Sequence, residues 1–325
     1  MRLFLFLVTV SACTAQDSTA AKLIAAGHWK QARLLVEQRL REAPDDPDAN
    51  FLASQIRNAF GDRSSPPVLA EKAVRLDGGV ARYHRQLAEV QGVMAQRAGI
   101  LQQVVLGHRF RKEIDTALEL DPRDVQALRD LLEFYLLAPG LLGGDVKKAD
   151  AVARQMAALN PAQGFLAQAR IAEFRKDWAQ TEASLRRAAD VTPASYNSQI
   201  ASARFYLAPE HHDDRAAEVL GRTALALDAG RVEAYCVLAV AYAERPDWNG
   251  LESVLSSAAH EVPDDLAPYY RAAERLLEDG RDPFRAEGYL RRYLTQEPEG
   301  NQPTTEEAQQ KLGFALKATR KGGAN

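Results

Sequence analysis

The apolar residues of this chain do not alternate in the two-residue period of a half-buried strand over any sustained stretch, and Val, Ile and Thr are too scattered to form strand-like runs. They fall instead into helical phrases that end at a common signal. The phrase is of the form Ala-Leu-x-Leu followed by a proline stop, as in Ala117-Leu-Glu-Leu-Asp-Pro122 and Met156-Ala-Ala-Leu-Asn-Pro161. It returns, with variation, before Pro44, Pro193, Pro263 and Pro298, and without the proline at Ala73-Val-Arg-Leu-Asp-Gly78 and Ala224-Leu-Ala-Leu-Asp-Ala229. Proline cannot continue a helix and biases its predecessor away from the α region, which is why it marks the stop.

Stops at 44, 78, 122, 161, 193, 229, 263 and 298 lie 34, 44, 39, 32, 36, 34 and 35 residues apart. An array of helix pairs with a period of about 34 residues accounts for that spacing. The internal phase agrees. Twelve residues before the stop, where two helices must approach closely, stand Ala32, Ala149, Ala217 and Ala286, with Phe110, Thr181 and Leu251 filling the place less well and Pro66 marking the weakest unit. Aromatics sit at or just before the second helix, as Trp29, Trp178, Trp248 and Phe284. One copy carries Tyr235, Leu238-Ala239 and Tyr242 on its first helix, then Trp248, Ala258 and Pro263. On these residues the chain resembles the tetratricopeptide repeat family over about 17–319. The resemblance implies an all-α, right-handed superhelical solenoid of about eight helix pairs with a C-terminal capping helix. It is specific for fold and not for function, because such repeats serve many unrelated partners.

Two irregularities interrupt the array. The third unit is long, with helices expected at 81–96 and 100–120 around Arg97-Ala98-Gly99. The other is Phe134-Tyr-Leu-Leu-Ala-Pro-Gly-Leu-Leu-Gly-Gly-Asp145, where 138–144 makes a seven-residue loop in place of a short interhelical turn. Pro139-Gly140 suits a tight turn, Gly143-Gly144 permits positive φ, and Asp145 is placed to cap the next helix. Leu141 and Leu142 at its tip must fold back or meet something. The stretch resembles a loop found in poorly characterised bacterial envelope proteins with these repeats. Phe205-Tyr-Leu-Ala-Pro-Glu210 is a partial echo of it. At the far end, 304–319 reads as one amphipathic helix with Leu312 and Phe314 inward, which closes the array, and 320–325 as a disordered tail.

The first residues have another character. Met1-Arg2 supplies a positive charge, residues 3–10 are apolar except for Thr9, and Ser11-Ala12-Cys13 follows, the pattern of a secretory signal over 1–15. The run is too short to span a bilayer. Val10-Ser11-Ala12-Cys13 also resembles the bacterial lipobox, so two outcomes stand: a lipidated Cys13, which would attach the protein to a membrane, or cleavage after Ala15. Both imply an exported protein, periplasmic or anchored in a bacterial envelope.

Charge and candidate chemistry narrow the picture. With 41 basic and 44 acidic residues the net charge is −3, too balanced for a nucleic-acid binder. The local cluster His108-Arg109-Phe110-Arg111-Lys112 reads as a solvated helix face. Of the two cysteines, Cys236 lies in an apolar helix and is expected to be a small buried hydrophobe, not a nucleophile. His211, His212, Asp213 and Asp214 are adjacent and diverge in direction, so the aspartates are expected to cap a helix near Arg215 and not to bind metal. No phosphate-cradling glycine loop, nucleophile elbow or zinc-binding helix motif is present. The sequence therefore predicts neither catalysis nor a cofactor or metal.

The remaining candidate is the concave face made by the first helix of each pair. It would present Arg82, Tyr83, Arg129, Tyr135, Arg170, Arg175, Tyr196, Arg204, Tyr235, Tyr242, Tyr269 and Arg271 in some combination, Tyr and Arg being common binding anchors. About half of the tyrosines are expected in the core instead. The leading expectation is a scaffold that holds a protein or peptide in this groove, with the 138–144 loop and its Leu141 and Leu142 at the rim. The alternative is a small-molecule-binding accessory component of a transporter, which would need a closed pocket.

Overall fold

A computed structural model describes residues 19–322 of the chain; the expected signal at 1–15, Cys13 and residues 323–325 lie outside them. The described residues contain no strand. They form seventeen α-helices: α1 (19–26), α2 (Trp29–Glu42), α3 (Pro47–Ala59), α4 (Ser65–Leu76), α5 (Ala81–Arg97), α6 (Ile100–Leu120), α7 (Val125–Leu137), α8 (Val146–Leu159), α9 (Pro161–Phe174), α10 (Trp178–Ala189), α11 (Tyr196–Tyr206), α12 (Asp214–Leu227), α13 (Val232–Glu244), α14 (Trp248–Glu261), α15 (Ala267–Glu278), α16 (Pro283–Tyr293) and α17 (Thr305–Gly322). These are eight pairs and a closing helix, so the chain is an all-α solenoid of the tetratricopeptide type.

It divides into two compact units, Met1–Asn160 and Pro161–Asn325, at one of the stop prolines. Within the first, each helix packs on the next from α2 to α8, and α3 also packs on α5. Within the second, neighbours pack likewise, and the first helices form a layer of their own, α9 on α11, α11 on α13, α13 on α15 and α15 on the closing α17.

The alanines twelve residues before the stops do what the spacing requires. Ala32, Ala149, Ala217 and Ala286 are wholly buried, as are Ala73, Ala117, Ala188 and Ala224, which belong to the same class of second helix. Methyl-sized contacts let the backbones approach, and larger side chains fill what remains, among them Ile114, Leu128, Leu132, Leu251, Leu255, Leu276 and Leu290.

Helix starts are set by aspartate. The second helix of every pair from α8 onward begins behind an Asp whose carboxylate accepts backbone N–H bonds: Asp145, Asp177, Asp213, Asp247 and Asp282. Asp46 and Asp124 do the same for α3 and α7. Each such cap contributes about 1 kcal/mol.

Two expectations at the C-terminal end need correction. Phe314 is more than half exposed; the inward stripe of α17 is Ala308, Leu312 and Ala315, three to four residues apart, and Phe314 falls off it. The helix also runs on through Arg320 to Gly322, so residues 320–322 are helical and not tail.

Candidate functional site

Of the expected groove residues the tyrosines are mostly buried, while the arginines are exposed or half-buried. Tyr83, Tyr135, Tyr196, Tyr235 and Tyr242 are all buried, more than the half expected. Their rings pack between helices and their hydroxyls are used up inside the fold. The Tyr235 hydroxyl donates to the Ala229 carbonyl at 3.0 Å. Tyr196 accepts from the Ala234 N–H at 3.0 Å and donates to the Arg231 carbonyl at 3.2 Å. Tyr83 donates to Asp48, which also takes a 2.5 Å bond from Arg82. Tyr269 is half-buried, edge-on to Tyr289. The arginines Arg170 and Arg271 reach acids on their own helices, Glu173 at 3.5 Å and Glu274 at 3.0 Å, and Arg129 bonds Gln126. Arg175 and Arg204 stand exposed in the second unit.

Three of these tyrosine contacts follow one rule. Tyr206 bonds Glu182 and Arg186, Tyr242 bonds Glu218 and Arg222, and Tyr135 bonds Arg111, itself paired with Asp115. The tyrosine lies 24 residues after the first charged partner each time, from the second helix of one pair to the first helix of the next. In the first unit the order of acid and arginine is reversed. The repeated clasp was visible in the sequence as an acid and an arginine four apart followed by a tyrosine twenty later. Arg111 is thus an interhelical strut, and its neighbour Phe110 faces inward; only His108, Arg109 and Lys112 of that basic cluster are solvated.

One unfilled region lies in the first unit, where the two irregularities meet; another of about 360 Å³ lies among α2, α3 and α4. α5 and α7 do not pack closely on each other, unlike the other successive first helices named above. Between them, α6 and the 138–144 loop opens a cleft of about 360 Å³. That is within the range of ligand sites, about 300–1,000 Å³. Its walls are Val93 of α5, Phe110 of α6, Phe134 and Leu137 of α7, and Pro139 and Leu142 of the loop. Phe110 and Phe134 stack with ring centroids 5.6 Å apart. Gly92 makes room for Phe110, since a Cβ there would come within 3.3 Å of its ring.

The loop is held by its own backbone. Leu142 N–H donates to the Pro139 carbonyl at 2.8 Å, Gly143 to Gly140 at 3.0 Å, and Asp145 to Tyr135 at 2.9 Å. Gly143 takes φ +100°, as expected, but Gly144 does not need positive φ; it is required because a Cβ would lie 1.8 Å from the Ala138 carbonyl oxygen. The two leucines separate. Leu142 folds back into the cleft wall, while Leu141 stands 95% exposed at the tip. Leu137, also on the wall, is 60% exposed.

The polar lining is acidic. Glu89, Asp130 and Glu133 line the cleft, and no lysine or arginine does. Asp130 Oδ2 is shut off from water and has no hydrogen-bond partner. Burial pushes the Asp130 carboxyl up to about 7, with Glu89 and Asp124 reinforcing and Arg85 and Arg129 opposing. Burial likewise raises Glu89, against the pull of Arg85 and Arg129. Sequence reasoning named the loop and Leu142 but missed these acids, which look like any surface carboxylate on an amphipathic helix until α5 and α7 are seen to enclose them.

The other expected chemistry resolves into packing. Asp213 caps α12 at 2.9 Å from Ala216 N–H, and His211 stacks on Phe205 at 3.8 Å between centroids. Burial pushes the Cys236 thiol far up, as suits a packed side chain and not a nucleophile. Among the described residues no helix is long and apolar enough to cross a membrane.

Fold and site together define a helical-repeat solenoid with an open, acid-lined apolar cleft. No family model and no curated protein sequence matches the chain. Solved structures do. TTC0263, a thermophilic TPR protein of Thermus thermophilus, matches with TM-score 0.52 and 19% identity, over 60% of this chain and 99% of that one. Pseudomonas aeruginosa pilF (TM-score 0.43, 15% identity) matches over 69% of this chain and 95% of its own. YrrB, described as a TPR protein with an unusual peptide-binding site (TM-score 0.39, 13% identity), matches over 64% and 97%. At these identities the likeness is one of fold.

Proposed function

We propose that this protein is a non-catalytic binding module of a bacterial envelope, which takes a segment of a partner protein in the cleft formed by α5, α6, α7 and the 138–144 loop. The observation that carries the reading is the cleft itself. It is apolar and includes the exposed Leu137, with Leu141 exposed at the tip of the loop that walls it, whereas the tyrosines of the expected groove are mostly buried in packing. Exposed apolar surface on a rigid scaffold suits a partner contact better than an enclosed solute. Nothing in the site favours the transporter-accessory alternative, which calls for a closed pocket.

The envelope part of the reading rests on the N-terminal signal, with Cys13 as the residue that would carry lipid. Mass spectrometry of the mature N-terminus tests it: a diacylated Cys13 or a start at Gln16 supports export, and an intact Met1 overturns it. The binding part is tested by quantitative co-purification from envelope extracts. Partners should be lost with Phe134→Ala combined with Leu142→Ser and retained with Arg175→Ala and Arg204→Ala. An unchanged partner set in the cleft variant would overturn the reading.

A further inference from the structure

The chemistry of the lining goes further than the presence of a cleft. We infer that the partner segment seats a basic side chain, Arg or Lys, in this cleft, its head at Asp130 with Glu89 and Glu133 on the surrounding lining and its aliphatic stem on the Phe110–Phe134 wall. This inference rests on the proposed binding function and specifies its partner.

Charge complementarity points one way. Three carboxylates line the cleft and no cationic side chain does. The nearby cations do not bond Asp130: Arg85 lies 3.6 Å from Asp124 and 3.9 Å from Glu89, Arg129 bonds Gln126, and neither donates to Asp130 Oδ2. Asp130 Oδ2 is left dehydrated without a partner, an arrangement that is costly until a donor arrives. Burial is the main cause of the raised affinity of Asp130 for a proton, with Arg85 and Arg129 opposing it and Glu89 and Asp124 adding to it.

The shape selects among cations. Among the described residues no group of three His, Cys, Asp or Glu side chains is placed to hold a metal ion, so the acids do not converge on a point charge. They surround apolar wall instead. A long side chain with an apolar stem and a charged head matches both surfaces at once, and a cation over an aromatic ring gains further attraction. The exposed Leu137 and Leu141 beside the cleft offer contact to the residues flanking that side chain, which favours a peptide over a free amine.

A selection tests this. The full chain is immobilised and a display library of random twelve-residue peptides is enriched on it, on Asp130→Asn, on Glu89→Gln, and on Phe134→Ala. Enriched peptides should share an Arg or Lys next to an apolar residue. In solution titrations such a peptide should lose at least tenfold in affinity on Asp130→Asn, and similarly when its basic residue is replaced by Gln. Peptides that need Phe134 but lack a basic residue, or that bind Asp130→Asn equally well, overturn the charge inference and leave the binding function standing. Peptides indifferent to Phe134→Ala overturn both. Circular dichroism of each variant separates lost binding from lost folding.

Discussion

The stretch from α11 to α14 in the second unit and that from α5 to α8 in the first are built from the same helix pair, yet one is filled and the other is open. In the former the stops are 36 and 34 residues apart, near the repeat period. Its helices are clasped by Tyr206 and Tyr242, and Gly221 sits so close to α13 that a Cβ would lie 2.9 Å from Val237. In the latter the stops are 44 and 39 apart and α6 has 21 residues where α12 has 14; the connections at 138–145 and 207–213 are of similar length. The stretch from α11 to α14 is closed by side chains already present. In the stretch from α5 to α8, α5 and α7 do not pack closely, and between them lies a cleft in which Asp130 Oδ2 is shut off from water. Regularity here serves stability, and departure from it leaves room for a partner.

The largest effect that would break this contrast is on core packing. Leu255, wholly buried in α14, should cost about 2–5 kcal/mol when changed to Ala. Leu142→Ala, on an open wall, should cost under about 1.5 kcal/mol, because water or a partner already meets it. Urea denaturation of both variants checks the pair, and equal costs would mean the cleft is ordinary core.

Asp130 comes next, with the opposite sign. Its carboxyl is raised from 3.8 to about 7 by burial, within a group of Arg85 and Glu89 from α5 and Asp124, Arg129 and Glu133 at or on α7. Between those pH values the folded chain keeps a proton that the unfolded chain has lost, so stability falls as pH rises through the window and levels off above about 7. Asp130→Asn removes that slope. At pH 7.5 it should stabilise the protein by about 1–3 kcal/mol, below a ceiling of ~4 kcal/mol set by the size of the shift. Urea melts at pH 4, 5.5 and 7.5 measure it. A variant that is less stable at pH 7.5 would show Asp130 to be paired.

Glycine to alanine changes sharpen the comparison further. Gly221→Ala overpacks against Val237 and Leu238 and should destabilise by about 1–3 kcal/mol. Gly107→Ala, in the equivalent second helix of the open region, meets only Leu142 at 3.8 Å. It should gain up to about 1 kcal/mol from helix propensity while narrowing the cleft. Thermal melts of both read the signs.

The smallest effect concerns the clasp. Burial would raise Glu218, but hydrogen bonds from Arg245, Arg222 and Tyr242 hold it down at about 2. A lowered carboxyl contributes stability above about 4.5 that is lost as pH falls through about 2. The group is near the surface, so Glu218→Gln should cost about 1 kcal/mol at pH 7 and clearly less at pH 2, as urea melts at the two pH values would show.

Much of this fold was legible because the repeat writes one signal many times. The stops, the alanines, the long α5 and α6, the 138–144 loop and the Asp145 cap were readable from Pro122, Ala149, Arg97-Ala98-Gly99 and Gly143-Gly144. The site was legible only in part. Leu142 was flagged because an apolar loop tip demands a neighbour. Tyr135 and Tyr242 are buried in clasps, and a tyrosine on a first helix reads alike whether it faces a groove or a clasp; the charged pair 24 and 20 residues earlier distinguishes the two. Asp130 carries no local mark, since its burial comes from helices far away in sequence.

The central claim is that partners meet the open region and not the regular one. A photo-crosslinking amino acid placed at Leu141 and, separately, at Val219 of α12 tests it directly in cells, both positions being exposed. A discrete partner adduct from position 141, abolished by Phe134→Ala and Leu142→Ser, is the expected result. Adducts from position 219 with none from 141 would contradict the account.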